Sequence, residues 1–132
     1  MKKEFDSYKN YVCPTCFNQL HKCTCDTFPP YSLLFIDENI QEHIRILKTN
    51  GFLTTGCCEG HYNSYSTEPY VAFGMDYVFD SLPYGFKWNK RRKMLVSNKI
   101  SAKNAEEYNK IKKIRLKSLM EWAMSVKPKS AE

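Results

Sequence analysis

Residues 36–61, IDENIQEHIRILKTNGFLTTGCCEGH, read without interruption as helix, stop, strand and polar loop, and the rest of the chain attaches to that unit. Ile40, Ile44 and Leu47 recur at the i, i+4, i+7 spacing of one helix face. Asp37 stands just ahead, where a short carboxylate can accept from the free N–H groups of a first turn. The spacing therefore predicts a helix starting near Glu38. Asn50-Gly51 supplies the stop, because glycine takes the left-handed backbone that closes many helices. Phe52 to Thr55 then reads as a short strand, rich in types that suit a pleated surface. It delivers the chain to Gly56-Cys57-Cys58-Glu59-Gly60-His61, where two glycines surround two thiols, a carboxylate and an imidazole. His43 lies beside the apolar stripe, so helix geometry alone makes it a partly buried, hydrogen-bonded residue.

Upstream stand Cys13-Pro-Thr-Cys16 and, after six residues, Cys23-Thr-Cys25. Four thiolates in thirteen residues match one tetrahedral Zn2+, with Pro14 fixing a backbone angle inside the first pair. Four cysteines complete the shell, which leaves His21 outside it and makes the zinc structural. Phe28-Pro29-Pro30-Tyr31 disfavours helix and reads as a stiff connector, and Ser32 to Ile36 as a short buried strand. Residues 1–30 are thus expected to be a lead-in and zinc knuckle. Residues 31–132 are expected to be an α+β domain ending in a long basic helix.

Downstream of the loop, residues 62–68 are polar and turn-rich, and Pro69 to Met75 reads as a strand forming a hairpin-like unit with 52–55. Phe86-Lys87-Trp88 and Met94-Leu95-Val96 read as another strand pair or as one interrupted strand around Asn89-Lys90-Arg91-Arg92-Lys93, a basic stretch that reads as a turn. From Ser101 to Val126 runs the longest helical segment, with Glu106 and Glu107 early and cations later, the order a helix dipole favours. Tyr108, Ile111, Leu116, Leu119, Trp122, Ala123 and Val126 share one face, with Ile114 near its edge. Lys103, Lys110, Lys113 and Lys117 gather on the other. Lys127 to Glu132 reads as a frayed tail. The expected fold is α+β: a small mixed or antiparallel sheet, two helices and an N-terminal zinc knuckle.

Composition narrows the function class. The chain has 132 residues, suited to one domain with a modest core. No apolar run follows Met1-Lys2-Lys3 and none approaches the roughly 18 residues a bilayer requires, so a cytoplasmic protein with reduced cysteines is expected. Charge is divided unevenly. Residues 1–85 hold 6 Lys/Arg against 10 Asp/Glu, whereas 86–129 hold 14 against 3. A field of that kind favours a polyanionic partner.

Taken together, the CPTC and CTC pairs, Ile46-Leu47, Asn50-Gly51-Phe52, Thr54, Cys57-Cys58-Glu59-Gly60-His61 and the YVAFG run at 70–74 resemble a group of small phage and prophage proteins of Gram-positive bacteria. The resemblance covers roughly residues 13–86 and implies a viral accessory context, one in which such proteins often act on host machinery or host defence.

Three functions are compatible with these residues. The first is a non-catalytic, zinc-stabilised protein that presents Lys87, Trp88, Lys90, Arg91, Arg92, Lys93, Lys103, Lys110, Lys113 and Lys117 to nucleic acid or a host nucleoprotein, in one version as an inhibitor of a CRISPR nuclease. Arginine forks and lysines would hold phosphates while Tyr84, Phe86 or Trp88 stack on bases. The second is an enzyme or small-ligand site at Cys57, Cys58, Glu59 and His61, using a thiolate nucleophile or a second metal held by both thiols and His61. Alternation along a strand argues that at least one of the two thiols is a small core residue. The third is a protein-only adaptor steered by its basic end toward an acidic surface.

Overall fold

The computed structural model describes residues 9–25, 34–65 and 67–131. The proline connector, residues 1–8, Ser32 and Leu33 lie outside that set. Among the described residues two helices and two antiparallel sheets give an α+β architecture with the cysteine cluster at the N-terminal end. Among the described residues no helix is long and apolar enough to cross a membrane.

Helix α1 (Gln41–Thr49) is entered through a 3-10 turn, Glu38–Ile40. It buries Ile40, Ile44 and Leu47, the face the spacing predicts. Each contributes roughly 1.5–3 kcal/mol on burial, which outweighs the poor intrinsic stability of so short a helix. The expected cap is absent, since the Asp37 side chain makes no bond to that first turn. Gly51 closes the helix at φ 98°, with the Asn50, Gly51 and Phe52 N–H groups donating to the carbonyls of Ile46, Lys48 and Leu47.

The following strand is displaced from its expected place. β1 (Tyr11–Val12) and β2 (Leu34–Phe35) pair with each other, and β3 runs Thr54–Cys58, two residues later than the hydrophobic pattern suggests. Phe52 is drawn into a ring cluster, 5.0 Å from Tyr77 and 5.7 Å from Phe73, and the Leu53 N–H donates to the Tyr77 hydroxyl. The Leu53 carbonyl still accepts from the Gly74 N–H, but the ladder proper begins at Thr54, so both cysteines lie on the strand and the loop begins at Glu59. Of the strand expected from Ser32 to Ile36, the described residues Leu34 and Phe35 form β2 and are exposed, and Ile36 is buried.

The main sheet has the order β3, β4 (Tyr70–Phe73), β6 (Met94–Ser97), β5 (Phe86–Asn89), antiparallel throughout. Val71, Phe73, Leu95 and Phe86 face a core shared with both helices. Helix α2 spans Ala105–Ala123, later and shorter than Ser101 to Val126, because the Asn104 side chain accepts from the Glu107 N–H and fixes the start. Ile114, placed near the edge of the apolar face, is 57% exposed.

α1 and α2 run side by side in the same direction. His43 Nε2–H donates to the Leu116 carbonyl at 2.7 Å and Asn50 Nδ2 to the Ala123 carbonyl at 2.8 Å. The contact steps seven residues along each helix, about two turns, so the axes stay in register. The segment expected to fray after α2 is instead held. Val78 N–H donates to the Lys129 carbonyl and Ala131 N–H to that of Asp76.

Gly51 and Gly60 both hold positive φ, at 98° and 89°, but their surroundings differ. A Cβ on Gly51 would meet only Pro128 Cγ at 3.4 Å, whereas one on Gly60 would meet the Tyr108 hydroxyl at 2.7 Å and the Thr67 carbonyl at 2.9 Å. Gly51→Ala should therefore cost about 1–2 kcal/mol from backbone strain alone. Gly60→Ala should cost measurably more in urea unfolding, and equal losses would show that the second clash is relieved without effect.

Candidate functional site

Cys13, Cys16, Cys23 and Cys25 bring one sulfur each to within 4.8 Å of one another. A tetrahedral four-thiolate zinc centre with bonds of about 2.3 Å has S···S edges of about 3.8 Å, so the cluster needs little adjustment to take the ion. Thr15 N–H donates to Cys13 Sγ and Cys25 N–H to Cys23 Sγ, both at 3.4 Å, which fixes the direction of one sulfur in each pair. Phe17 turns the chain at φ 60°. Burial pushes the Cys13 thiol up, but the N–H groups of Cys16 and Thr15 and the neighbouring thiols outweigh it and bring it down to about 6. Zn2+ fits this donor set, and with four protein ligands it would hold the fold and leave no position for a substrate. His21 stands exposed in the 3-10 turn Leu20–Lys22. The knuckle is fastened to the domain by Gln19 Nε2, which donates to Gln41 Oε1 at 3.0 Å, and by the Lys48 ammonium over the Phe17 ring.

The residues Cys57 to His61 form a junction. Cys57 stands opposite Val71 and packs on the core, and Cys58 stands opposite Tyr70. Burial first, then the nearby Asp37 carboxylate, pushes the Cys57 thiol up to about 12. A thiol nucleophile needs the reverse shift; Cys57 packs, partly buried, against the core, and Cys58 is the buried one of the two. Glu59 is buried and multiply held: Asn39 donates to it through its backbone N–H at 3.2 Å and through Nδ2 at 2.8 Å, and Lys112 Nζ forms an ion pair with it. Burial pushes its carboxyl up, but Lys112 and Asn39 more than offset this and hold it below the usual glutamate range. Lys112 also donates to the Gly60 carbonyl at 2.7 Å. The Asp37 Oδ2 accepts from the Glu59 N–H and meets His61 Nε2, each at 3.1 Å. The carboxylate expected to cap α1 thus organises the loop instead.

The basic residues fall into three groups. Lys90, Arg91, Arg92 and Lys93 are exposed on the β5–β6 turn, and Lys87 is exposed on the edge strand β5. Asn89 Oδ1 accepts from the Arg92 N–H and Lys93 takes φ 55°, which gives the turn a defined shape. Lys113 and Lys117 line an open groove of about 730 Å3 floored by His43, Leu116 and Met120. Lys103 and Lys110 lie near the start of α2, where Lys110 is 3.8 Å from Glu106. No described contact joins the turn to the groove. Trp88 is half-buried against Phe73 and Phe79, and Phe86 is buried, so of the three rings considered for stacking Tyr84 alone is well exposed.

Lys112, Asp37 and Asn39 are the site residues that sequence reasoning missed. For Lys112 the signal was present: it lies four residues after Tyr108 and four before Leu116, so helix geometry sets a lysine on the buried face. Asp37 carried no such mark, because a cap and a loop anchor look identical in one dimension.

Comparison with protein-family models, with curated proteins and with solved structures gave no match.

Removing one partner of a buried ion pair strands the other, at a cost of about 3–5 kcal/mol. Lys112→Met should lose that much stability in urea unfolding, and Glu59→Gln/Lys112→Met should recover part of it. Glu59 has its carboxyl lowered in the folded state, so its contribution is complete above the ordinary glutamate value of about 4.3 and is lost as pH falls through the folded value. The acid limb of the stability profile should accordingly be shallower in Glu59→Gln. For the knuckle, Cys16→Ser should lower both bound zinc and the melting temperature. Unchanged metal content and melting would remove zinc from the structure.

Proposed function

We propose that this chain is a zinc-stapled, non-catalytic binding protein that engages nucleic acid, alone or within a host nucleoprotein, through the tip of the β5–β6 hairpin. The observation that carries this reading is the placement of four consecutive exposed cations on a shaped, clamped turn. Arg115 Nη1 grips the base of the hairpin, donating to Ser97 Oγ at 2.6 Å and to the carbonyls of Asn98 and Gly85 at 2.8 and 3.3 Å. Four residues of strand, about 13 Å at 3.3 Å each, then separate that clamp from the tip. Among the described residues no carboxylate pairs with Arg91, Arg92 or Lys93, and Lys90 meets Asp76 only at 4.0 Å. Free cations on a projecting turn suit phosphates, with Tyr84, 78% exposed, as the ring offered to a base.

The alternative enzyme reading draws less support. Cys57 is held protonated and packed, and Glu59 is tied to Lys112 and Asn39, so neither is available to a substrate. Six of the aromatic rings, Phe52, Phe73, Tyr77, Phe79, Trp88 and Trp122, pack on one another, and of these Phe52, Phe73, Tyr77 and Trp122 are buried, which leaves fewer rings for an adaptor surface. A four-thiolate zinc centre persists where thiols stay reduced, which favours the cytoplasm. The resemblance to phage and prophage proteins supports a viral accessory role. Occupying the nucleic-acid channel of a host-defence nuclease, a CRISPR nuclease among them, needs recognition and no turnover.

The test is fluorescence anisotropy of the zinc-loaded protein with labelled single-stranded and duplex DNA and RNA over a salt series. If Lys87 and the four tip residues each neutralise one phosphate, the log–log slope of affinity against salt should be about −3.5 on single strands and −4.5 on duplex. Lys90→Ala/Arg91→Ala/Arg92→Ala/Lys93→Ala should weaken binding more than about tenfold at low salt, where phosphate contacts dominate affinity. Binding that is absent in the wild type, or unaffected in the variant, would overturn the proposal.

A further inference from the structure

Outside the knuckle, one other set of metal-ligating side chains converges among the described residues. Asp37, Cys58 and His61 bring a carboxylate oxygen, a thiol sulfur and an imidazole nitrogen to within 4.8 Å of one another. They come from three places: the segment ahead of α1, the last residue of β3 and the loop beyond it. Each place is fixed by contacts that leave the metal-binding atoms in position. Ile36 N–H donates to the Asn10 carbonyl and Glu38 N–H to Asn10 Oδ1, which brackets Asp37. Cys58 is held by its ladder pairing with Tyr70. Gly60, at φ 89° with its carbonyl on Lys112, aims His61 back at Asp37.

We propose that Asp37, Cys58 and His61 form a second divalent-cation site that takes Zn2+ through three protein ligands and keeps one exchangeable position. The donor chemistry selects the ion. A thiolate and an imidazole suit Zn2+, whereas Mg2+ and Ca2+ require oxygen ligands. Local charge points the same way. Asp37 and Glu59 are both buried carboxylates, joined through the Glu59 N–H, and the one buried cation beside them, Lys112, is bonded to Glu59. Asp37 faces His61 at 3.1 Å at a site poorly reached by water, and a cation between Asp37, Cys58 and His61 would place a fixed positive charge on that carboxylate. Three ligands leave a fourth place for water or an anionic ligand. The His61 side chain is 48% exposed and forms the solvent side of the cluster, so exchange has a route.

The expectation that both thiols and His61 hold a second metal is revised by this geometry. Cys57 packs on the core on β3, and Asp37, remote in sequence, takes its place in the set.

The competing description is an ordinary Asp37–His61 hydrogen bond at 3.1 Å. Zinc per chain, measured by elemental mass spectrometry after loading with Zn2+ and desalting, separates the two. The wild type should hold about two equivalents and His61→Ala about one. Because His61 is half exposed, His61→Ala should melt within a few degrees of the wild type and confirm that the loss is not unfolding. Asp37→Asn, which can still accept from the Glu59 N–H, should also fall to about one. In the cobalt-substituted protein the second equivalent should add a weaker thiolate-to-cobalt charge-transfer band than the first, absent from His61→Ala. One equivalent in the wild type, or two retained in His61→Ala, would overturn the site.

Discussion

Glu59 is a carboxylate with almost no access to water, at 6% exposure, and the fold is arranged to keep it charged. An ionised group in such a place is unfavourable unless it is paired and fully hydrogen-bonded. The compensation comes from two segments, α2 and the residues just ahead of α1. Lys112 reaches in from α2, Asn39 offers two donors from the turn ahead of α1, and Asp37 receives the Glu59 backbone N–H. Satisfying one side chain therefore fixes where both helices meet the end of β3. It also leaves Asp37 turned toward His61.

The consequences run outward along the helix pair. Once Lys112 is set on Glu59, the next contacts down α2 fall on α1 in step, His43 on Leu116 and Asn50 on Ala123. The two helices lie parallel although a four-stranded antiparallel sheet is threaded between them in sequence. Arg115, on the neighbouring side of α2, ties that helix to the base of the β5–β6 hairpin. Lys112 and Arg115, three positions apart on α2, thus connect the buried junction to the element that carries the basic tip.

Much of this was legible in the sequence where a physical signal is local. The cysteine spacing, the α1 face, the Gly51 stop, the hairpin around Asn89 to Lys93 and the acidic start of α2 each depend on residues close in the chain. What escaped depended on partners far away. β3 begins late because Phe52 and Leu53 are claimed by aromatic residues beyond position 70. The tail is ordered because its backbone meets Asp76 to Val78. Asp37 serves a loop more than twenty residues downstream, and only Lys112, a lysine on an apolar helix face, announced itself by spacing.

Native-state hydrogen exchange at the backbone N–H groups of Asn39 and Glu59 tests the buried junction most directly. Both belong to turn or loop positions that ordinarily exchange fast, and both are assigned here to carboxylate acceptors inside the fold. The expected result is protection close to that of β4 and the middle of α2, set by global unfolding. Exchange at the rate of an exposed loop, with β4 still protected, would contradict it, because the junction would then open independently of the core it is held to organise.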